Sequence, residues 1–417
     1  MRELETEVLI VGAGPAGCST AFHLSNKKIP HVLIDKASFP RDKICGDALS
    51  GKVVQELNRI DRKLIEEIKK DTNSFLPSFG VQFVSPNGNS VDIPFKTDLS
   101  TIKNAPGYIS PRIHFDNFLI SKLRTDSTTF LEKTSIEDIK KGKDGIAAKL
   151  INHGDVINIK AKLIVGADGE RSIIARQLGN HKQYDKHFCA GVRAYYSNVK
   201  GLHQYNFIEL HFLPEFLPGY LWIFPLPNGR VNVGAGMLSS SVKKNKVALR
   251  QKLHELLTSH PRFKSRFSDA IPEGQTKGWG LPLGSKRRSL SGDHFLLTGD
   301  AASIIDPFTG EGIGNAMVSG RHAADCIENA IGLQRYDKCV LSSYDKKLFS
   351  EIGQELKLSH TLQKLSSQAW LFNWVVKKAA SNVELRELIT GMFEDINARA
   401  RLSKPGFYFN LIFNKTN

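Results

Sequence analysis

Nowhere does this chain of 417 residues run apolar for the ~20 residues that a membrane-crossing helix needs. Cysteine is scarce: the 5 present, Cys18, Cys45, Cys189, Cys326 and Cys339, stand far apart with no C-x-x-C among them. That spacing speaks against a disulfide framework or a zinc site and fits a reducing cytoplasm. The 13 histidines have no ligand spacing, so no metal is expected. The first residues lack a signal-peptide pattern, because Arg2, Glu3, Glu5 and Glu7 lead into a short run, Val8 to Val11, of strand type. A cytoplasmic protein is the expectation. Nucleic-acid motifs are missing too. The formal net charge is +15, yet bases and acids interleave, as from Asp61-Arg62-Lys63 to Lys69-Lys70, so nucleic acid is not an expected partner. The excess charge leaves two readings open. One is an anionic partner, either a cofactor or the inner face of a membrane touched peripherally; the other is a basic surface that is merely solvated.

What is present is a globular composition, 41% apolar and 24% charged, and length enough for two or three domains. The organising stretch is VLIVGAGPAGCSTAFHL at 8–24, followed by HVLIDK at 31–36. Val8 to Val11 reads as a strand buried on both faces, Ala16 to Leu24 as a helix, and His31 to Ile34 as a second strand. Between the first strand and the helix, Gly12-Ala13-Gly14-Pro15-Ala16-Gly17 matches G-x-G-x-x-G. Gly12 permits the tight turn, Gly14 lets a pyrophosphate approach the backbone, and Gly17 lets the helix lie close on the sheet. The helix start adds free N–H groups and a positive dipole end. Asp35, 18 residues after Gly17, is placed to accept from ribose hydroxyls. Together these elements point to an adenine dinucleotide, against the alternative of a glycine-rich turn with no ligand.

The loop KASFPRDKICGDALSG, 36–51, follows, with a helix expected from about Lys52. Arg41 and Lys43 are candidates for phosphate. Cys45 lies between Lys43 and Gly46, where positive charge would lower a thiol pKa; the alternative is a small buried hydrophobe. Residues 79–95 alternate around Asn87-Gly88, as in a hairpin, and Arg112 stands just ahead of a helix. Residues 130–139 and 145–151 read as strands. In AKLIVGADGERSIIARQLG, 161–179, Leu163 to Val165 is an expected strand and Asp168 can fix a turn or a water near the nucleotide.

GYLWIFPLPNGRVNVGAGM, 219–237, alternates so that Tyr220, Trp222 and Phe224 share one face. After the Asn228-Gly229 turn, the returning strand puts Asn232, Gly234 and Gly236 on one face. An aromatic wall opposite a glycine floor would suit a flat or elongated apolar ligand; a sheet packed on its own core is the alternative. Phe295 to Thr298 is a third strand of the nucleotide type, ended by Gly299-Asp300, and Asp300 could accept from ribityl hydroxyls. Asp306 to Gly314 then approaches a long helix whose positive end faces the cleft. Beyond Tyr336 helices are expected. AWLFNWVV, 369–376, and the aromatic tail KPGFYFNLIFNK, 404–415, fit either a lipid surface or packing onto the body.

Three motifs in order, 12–17, 166–169 and 299–300, resemble the FAD-dependent oxidoreductases of the aromatic-hydroxylase type. Within them, FPRDKICGDALSG at 39–51, PGYLWIFPL at 218–226 with GAG at 234–236, and DPFTGEGIGNAMVSG at 306–320 resemble the geranylgeranyl reductase family. The Y-x-W-x-F-P pattern of that family is met by Tyr220, Trp222, Phe224 and Pro225, its cysteine-glycine loop by Cys45-Gly46; the chain departs from the family with Asp47-Ala48 where many members have further glycines, and with Asp35 where Glu is common. The resemblance implies an α/β fold: a Rossmann-type FAD-binding domain, aromatic-hydroxylase-like, with an antiparallel-sheet substrate domain and a C-terminal helical region. The expected division gives 1–75, 102–186 and 288–335 to FAD, 76–101 and 187–287 to substrate, and 336–417 to the helices. It further implies that FAD is held by Gly12, Gly14, Pro15, Ala16, Asp35, Arg41, Cys45, Gly46, Ala48, Arg112, Asp300, Gly312 and Ile313, with Ile136 beside the adenine. Tyr220, Trp222, Phe224, Gly234 and Gly236 would meet an apolar or prenyl-lipid substrate, with Cys45 the catalytic candidate. No second G-x-G-x-x-G is visible, so NAD(P)H would bind transiently or another electron donor would serve. The expected reaction is reduction of isoprenoid carbon–carbon double bonds. The alternative is a flavin monooxygenase or halogenase, since GYLWIFP also resembles the halogenase pattern W-x-W-x-I-P, with Tyr220 and Phe224 departing from it. A flavin-binding scaffold or sensor without turnover is a third reading.

Overall fold

The computed structural model describes residues 2–95, 105–123, 126–382 and 385–386. Its first sheet has eight strands, with Ser291–Gly292, Phe295–Leu297, Asp155–Gly166, Arg2–Val11, His31–Ile34 and Thr128–Leu131 side by side in that order. From Phe295–Leu297 to Thr128–Leu131 the neighbours run parallel. Parallel strands must be covered on both faces. Accordingly Val8 to Val11 and His31 to Ile34 are buried throughout.

The helix Pro15–Asn26 crosses from the first strand and packs on the 21-residue helix Ile313–Leu333. Their contact is close because glycine stands in it: a Cβ on Gly320 would lie 2.6 Å from the Ala16 carbonyl oxygen. Ser19 Oγ donates to the Met317 carbonyl at 2.7 Å across the same contact.

Two expectations about this sheet needed correction. Residues 130–139 are not one strand but parts of Thr128–Leu131 and Thr134–Lys141. Between them Lys133 takes a left-handed φ of 49° and donates its N–H to the Ala37 carbonyl, so the chain breaks to tie down the loop after Asp35. The strand expected at Leu163 to Val165 runs for 12 residues, Asp155–Gly166, because its first half pairs antiparallel with Ile146–Asn152.

The second sheet has seven strands: Ile271–Pro282, Phe188–Ser197, Arg230–Leu238, Tyr220–Pro225, Ile208–His211, Gly80–Val84 and Ser90–Pro94. All neighbours are antiparallel except Ile208–His211 with Gly80–Val84. Gly80–Val84 and Ser90–Pro94 are the arms of the expected hairpin, and Gly88 turns it with φ 95°. One face of this sheet buries Val192, Leu221, Ile223, Val231 and Val233 against Leu253, Leu256 and Leu257 of the helix Leu249–Ser259. The other face is turned toward the first sheet. A three-stranded sheet, Ala48–Leu49, Gly107–Ile109 and Leu76–Ser78, lies where the two meet.

The helices Lys338–Ser366 and Ala369–Ser381 follow. Phe372 packs against Phe212 with ring centres 4.2 Å apart, whereas Trp370 is 70% exposed. Among the described residues no helix is long and apolar enough to cross a membrane. The tail 404–415 lies outside the described residues.

Because Gly320 faces backbone rather than a flexible side chain, Gly320→Val is expected to push the two central helices apart. The cost should reach or exceed the roughly 1–3 kcal/mol of an overpacked core. A thermal melt checks it; an unchanged melting temperature would show that the helices can separate freely.

Candidate functional site

Four parallel strands end at one level. The Gly12 N–H donates to the Ile34 carbonyl at 2.8 Å, the Ala167 N–H to Val11 at 2.8 Å and the Thr298 N–H to Gly166 at 2.9 Å. In an open parallel sheet, ligands bind outside these carboxyl ends. The chain leaves the first strand through Gly12, whose φ is 102° and whose absent Cβ makes room for the Ala167 carbonyl. At Gly14 the situation differs: nothing but an Arg41 Nη at 3.7 Å stands near the missing Cβ. That glycine is left open toward the cleft, not filled by protein. Asp35 uses one oxygen for the Ala13 N–H at 2.9 Å and the other for the Ala37 N–H at 2.8 Å. Each carboxylate oxygen keeps a lone pair for a hydroxyl.

The cleft is one connected cavity of about 1090 Å³, running from the glycine turn to the second sheet. That is slightly beyond the ~300–1,000 Å³ of an ordinary small-molecule pocket. It has room for a dinucleotide and a second molecule. It brings together Gly12, Gly14, Pro15, Ala16, Asp35, Arg41, Cys45, Gly46, Ala48, Arg112, Ile136, Asp300, Gly312 and Ile313, with Tyr220, Trp222, Phe224 and Gly236.

Beside the glycine turn, Asp116 is fully buried between two guanidiniums. Arg112 grips it with Nε at 2.6 Å and Nη2 at 2.7 Å, and Arg41 adds Nη1 at 2.6 Å. Burial alone would push the Asp116 carboxyl up; Arg112 and Arg41 more than reverse it and hold it below its ordinary value. Two guanidiniums against one carboxylate leave a net positive charge next to a helix N-terminus. That donor set, with the open Gly14, fits a diphosphate. On the opposite wall Asp300 pairs with Lys43 at 2.8 Å. Asp168 turns the chain by accepting the Ile173 N–H at 2.7 Å, while its Oδ1 is buried at the cavity without a protein partner. Asp306 Oδ1 accepts from the Phe308 and Thr309 N–H groups, and Glu311 from Gly314, which shapes the approach to the helix Ile313–Leu333.

Cys45 is half-buried beside Arg112. The expectation that neighbouring charge lowers its thiol is reversed. Burial dominates and pushes the thiol up; Arg112 and Lys43 pull the other way but do not win. Lys43 has turned its ammonium to Asp300.

The aromatic wall also needs a correction. Across the antiparallel pair Tyr220 faces Gly236, Trp222 faces Gly234, and Phe224 faces Asn232. The glycines are therefore not a floor opposite the rings but the bed beneath them. Trp222 lies on Gly234 so closely that a Cβ there would overlap the indole, which is why Gly234 is covered and does not line the cavity. The wall touches the flanking loops at both ends. The Tyr220 hydroxyl donates to the Thr309 carbonyl at 2.6 Å, and the Phe224 ring edge lies 2.9 Å from where a Gly46 Cβ would be.

Two cavity residues were given no role from sequence: Asp47, noted only as a departure from the family pattern, and Trp279. Asp47 is fully buried, and burial pushes its carboxyl up from 3.8 to about 6 against the opposing pull of Arg193, Tyr195, Asn232 and Arg112. Trp279 lies at the cavity with Lys43 and Arg171 each 5.9 Å from its ring centre. An acid directly after Cys45-Gly46, in a loop that must turn back, was the available signal for Asp47.

This fold and cleft define an FAD-dependent oxidoreductase. Residues 5–192 match the family model described as an FAD binding domain. The chain is 31% identical over 357 residues to digeranylgeranylglycerophospholipid reductase 2 of Methanosphaera stadtmanae, covering 85% of this chain and 86% of that protein. It is 30% identical over 327 residues to menaquinone reductase of Mycolicibacterium smegmatis, covering 77% and 76%. A geranylgeranyl bacteriochlorophyll reductase-like protein of Thermoplasma acidophilum shares the fold with a TM-score of 0.83 at 21% identity, over 98% of each chain. The chain belongs to the geranylgeranyl reductase family of FAD-dependent oxidoreductases.

Since burial holds the Cys45 thiol protonated and Cys339 is exposed, iodoacetamide at neutral pH should label Cys339 first and Cys45 well behind it. Peptide mass spectrometry over a time course checks the order. Early labelling of Cys45 would mean that its thiol is ionised in spite of its burial.

Proposed function

We propose that this enzyme saturates carbon–carbon double bonds in a prenyl chain, as in an isoprenoid lipid or a menaquinone-type molecule. The observation that carries the reading is the continuity of the cavity, from the dinucleotide turn to an apolar compartment walled by Tyr220, Trp222, Phe224, Leu210 and Phe308. The names of the two relatives, a prenyl-lipid reductase and a menaquinone reductase, support it. In this reading 1–75, 102–186 and 288–335 serve FAD, 76–101 and 187–287 serve substrate, and 336–417 is a C-terminal region whose described part holds the helices Lys338–Ser366 and Ala369–Ser381.

FAD, when bound and reduced, supplies a hydride to one alkene carbon. The protein does the rest. Arg41 and Arg112 would hold the diphosphate at Gly12, Gly14, Pro15 and Ala16, Asp35 would accept from the ribose, and Ile136 would meet the adenine. Asp300 would accept from the ribityl chain, and the backbone of Cys45, Gly46 and Ala48 with the helix start at Gly312-Ile313 would hold the ring. Tyr220, Trp222 and Phe224, backed by Gly234 and Gly236, hold the chain and exclude water. Cys45, kept protonated by burial, holds a proton at Sγ for the second carbon; solvent would restore it. NAD(P)H or another donor would supply the electrons. Exposed Trp370 and Leu365, with the net charge of +15, support peripheral contact with an anionic membrane.

The test is anaerobic. Dithionite-reduced enzyme mixed with a geranylgeranyl or menaquinone-type substrate should be reoxidised, and the product should gain two hydrogens per double bond by mass. Reoxidation only by oxygen, at a rate changed by an aromatic substrate, would transfer the enzyme to the monooxygenase or halogenase reading.

The arginine pair makes a second prediction. Asp116→Asn leaves Arg41 and Arg112 buried without a counter-charge. The enzyme stripped of FAD should lose about 3–5 kcal/mol of stability. Added FAD should restore much of it, because the diphosphate replaces the carboxylate. Thermal shift with and without FAD checks this; an equal loss in both would place the diphosphate elsewhere.

A further inference from the structure

Among the buried carboxylates that the mechanism does not use, Asp47 stands beside the Cys45 loop. Asp47 lies two residues after Cys45, at a left-handed φ of 71° and with no exposed surface. Its carbonyl takes the Ser110 N–H at 2.9 Å. Its side chain accepts from three elements. Arg112 N, at the start of the helix Arg112–Ser121, is 3.3 Å from Oδ1; Tyr195 Oη and Asn232 Nδ2, from two strands of the second sheet, are each 2.7 Å from Oδ2.

Asn232 is the informative partner. It too is fully buried. Its second amide hydrogen goes to the Cys45 carbonyl at 2.8 Å, and its Oδ1 accepts from Trp222 Nε1 at 2.8 Å. The orientation of the amide is fixed by chemistry, because an indole N–H can only donate while a carboxylate and a carbonyl can only accept. An unbroken chain of hydrogen bonds thus runs from the ring that walls the apolar compartment to the loop that carries Cys45.

We propose that Asp47 is a positioning residue for the reduction. Through Asn232 it sets the spacing and orientation of Trp222 relative to the Cys45–Ala48 loop. The inference rests on the proposed reductase function only for its effect on turnover; the linkage itself is a property of the protein.

The charges around Asp47 are arranged to make this link sensitive to protonation. Arg193 is bound to Asp42 at 3.0 Å, Arg112 to Asp116, and Arg230 to Glu273 at 2.7 Å. Arg193 and Arg230 lie over the Tyr195 ring, 3.9 and 5.0 Å from its centre. Lys43, on Asp47's own loop, is held by Asp300. The Cys45 thiol is kept neutral by burial. Arg193 and Arg230 are each held by a carboxylate and Arg112 shares Asp116 with Arg41, so Asp47 accepts hydrogen bonds from neutral donors alone and its burial is not fully offset. Its ionisation, near pH 6, alters what Asn232 donates to and thereby the indole that Asn232 holds.

The experiment uses the FAD-loaded enzyme. The indole N–H resonance of Trp222, one of 4 tryptophans, is assigned by its loss in Trp222→Phe and followed against pH. It should shift with a midpoint near 6, and the shift should vanish in Asp47→Asn. In the anaerobic assay, Asp47→Asn should slow reoxidation by a prenyl substrate by on the order of 10²-fold, with KM little changed, as for a misplacement of about an ångström. If Asp47→Asn does not fold, Tyr195→Phe serves instead. Removing a donor to the carboxylate should move the Trp222 midpoint upward. A Trp222 signal indifferent to pH, or one unchanged by both variants, overturns the proposal. A normal indole titration with no prenyl substrate turned over would overturn the reductase reading and leave the linkage standing.

Discussion

The loop from Arg41 to Asp47 is where the two large sheets are joined, and it is held almost entirely by charge. Arg41 is bound to Asp116 of the nucleotide half, Asp42 to Arg193 of the second sheet, Lys43 to Asp300 after the third nucleotide strand, and Asp47 to Tyr195 and Asn232. A charge removed from water must find a partner or it will not be tolerated. These needs at Arg41, Asp42, Lys43 and Asp47 are met from the helix Arg112–Ser121, the turn at Asp300 and the strands Phe188–Ser197 and Arg230–Leu238, which ties the loop to both halves. Cys45 and Gly46 have no charged side chains of their own and simply go where their neighbours are anchored. The cavity between the sheets exists because this loop is fixed at its edge and does not collapse into it.

The second sheet solves a different problem. A wall of three large rings on one strand needs somewhere to lie flat. Side chains directly opposite on an antiparallel pair stand within contact of each other. A side chain at 234 would overlap the Trp222 indole and tip it into the cavity, and at 236 a Cβ would come to within 3.8 Å of the same ring. Glycine lets the rings fold down onto the neighbouring strand, and Asn232 then catches the indole N–H. The reverse face of the same strands carries Val231, Val233 and Ala235 into the core under the helix Leu249–Ser259. One alternating sequence therefore supplies both a packed core and a ligand wall.

What could be read from the sequence was what local chemistry dictates. Gly12, Gly14 and Gly17 are spaced by the geometry of a strand that turns into a helix, and that geometry recurs in dinucleotide-binding βαβ units. The aromatic alternation at 220–224 was legible for the same reason, since a strand has only two faces. The bed of glycines was misread as a floor, because strand-by-strand reasoning does not say which residues stand opposite. Distance in the chain hid the rest. Asp116 lies 75 residues from Arg41 in sequence and nothing in its helix marks it as the partner. The break at Lys133 serves the Ala37 carbonyl, a contact invisible to periodicity. The Cys45 thiol was misjudged because its basic neighbours in sequence were visible, whereas the burial that outweighs them is a tertiary property.

Arg112 ties together two carboxylates with opposite behaviour. Its guanidinium holds Asp116 ionised, while its backbone N–H reaches Asp47, which burial keeps partly protonated. The consequences for stability have opposite signs. Asp116, depressed, contributes stability above the ordinary aspartate range, and that contribution is lost as the pH falls through its lowered pKa. Asp47, raised from 3.8 to about 6, holds a proton in the fold that the unfolded chain has already released; its contribution is largest in acid and declines as the pH rises through that window. At neutral pH an ionised Asp47 is therefore a cost to the fold. A neighbouring pair of acids whose environments push them apart is a common way to separate a permanent charge from a group that exchanges a proton. Here the permanent charge sits on the side of the glycine turn, and the exchangeable one on the side of the aromatic wall.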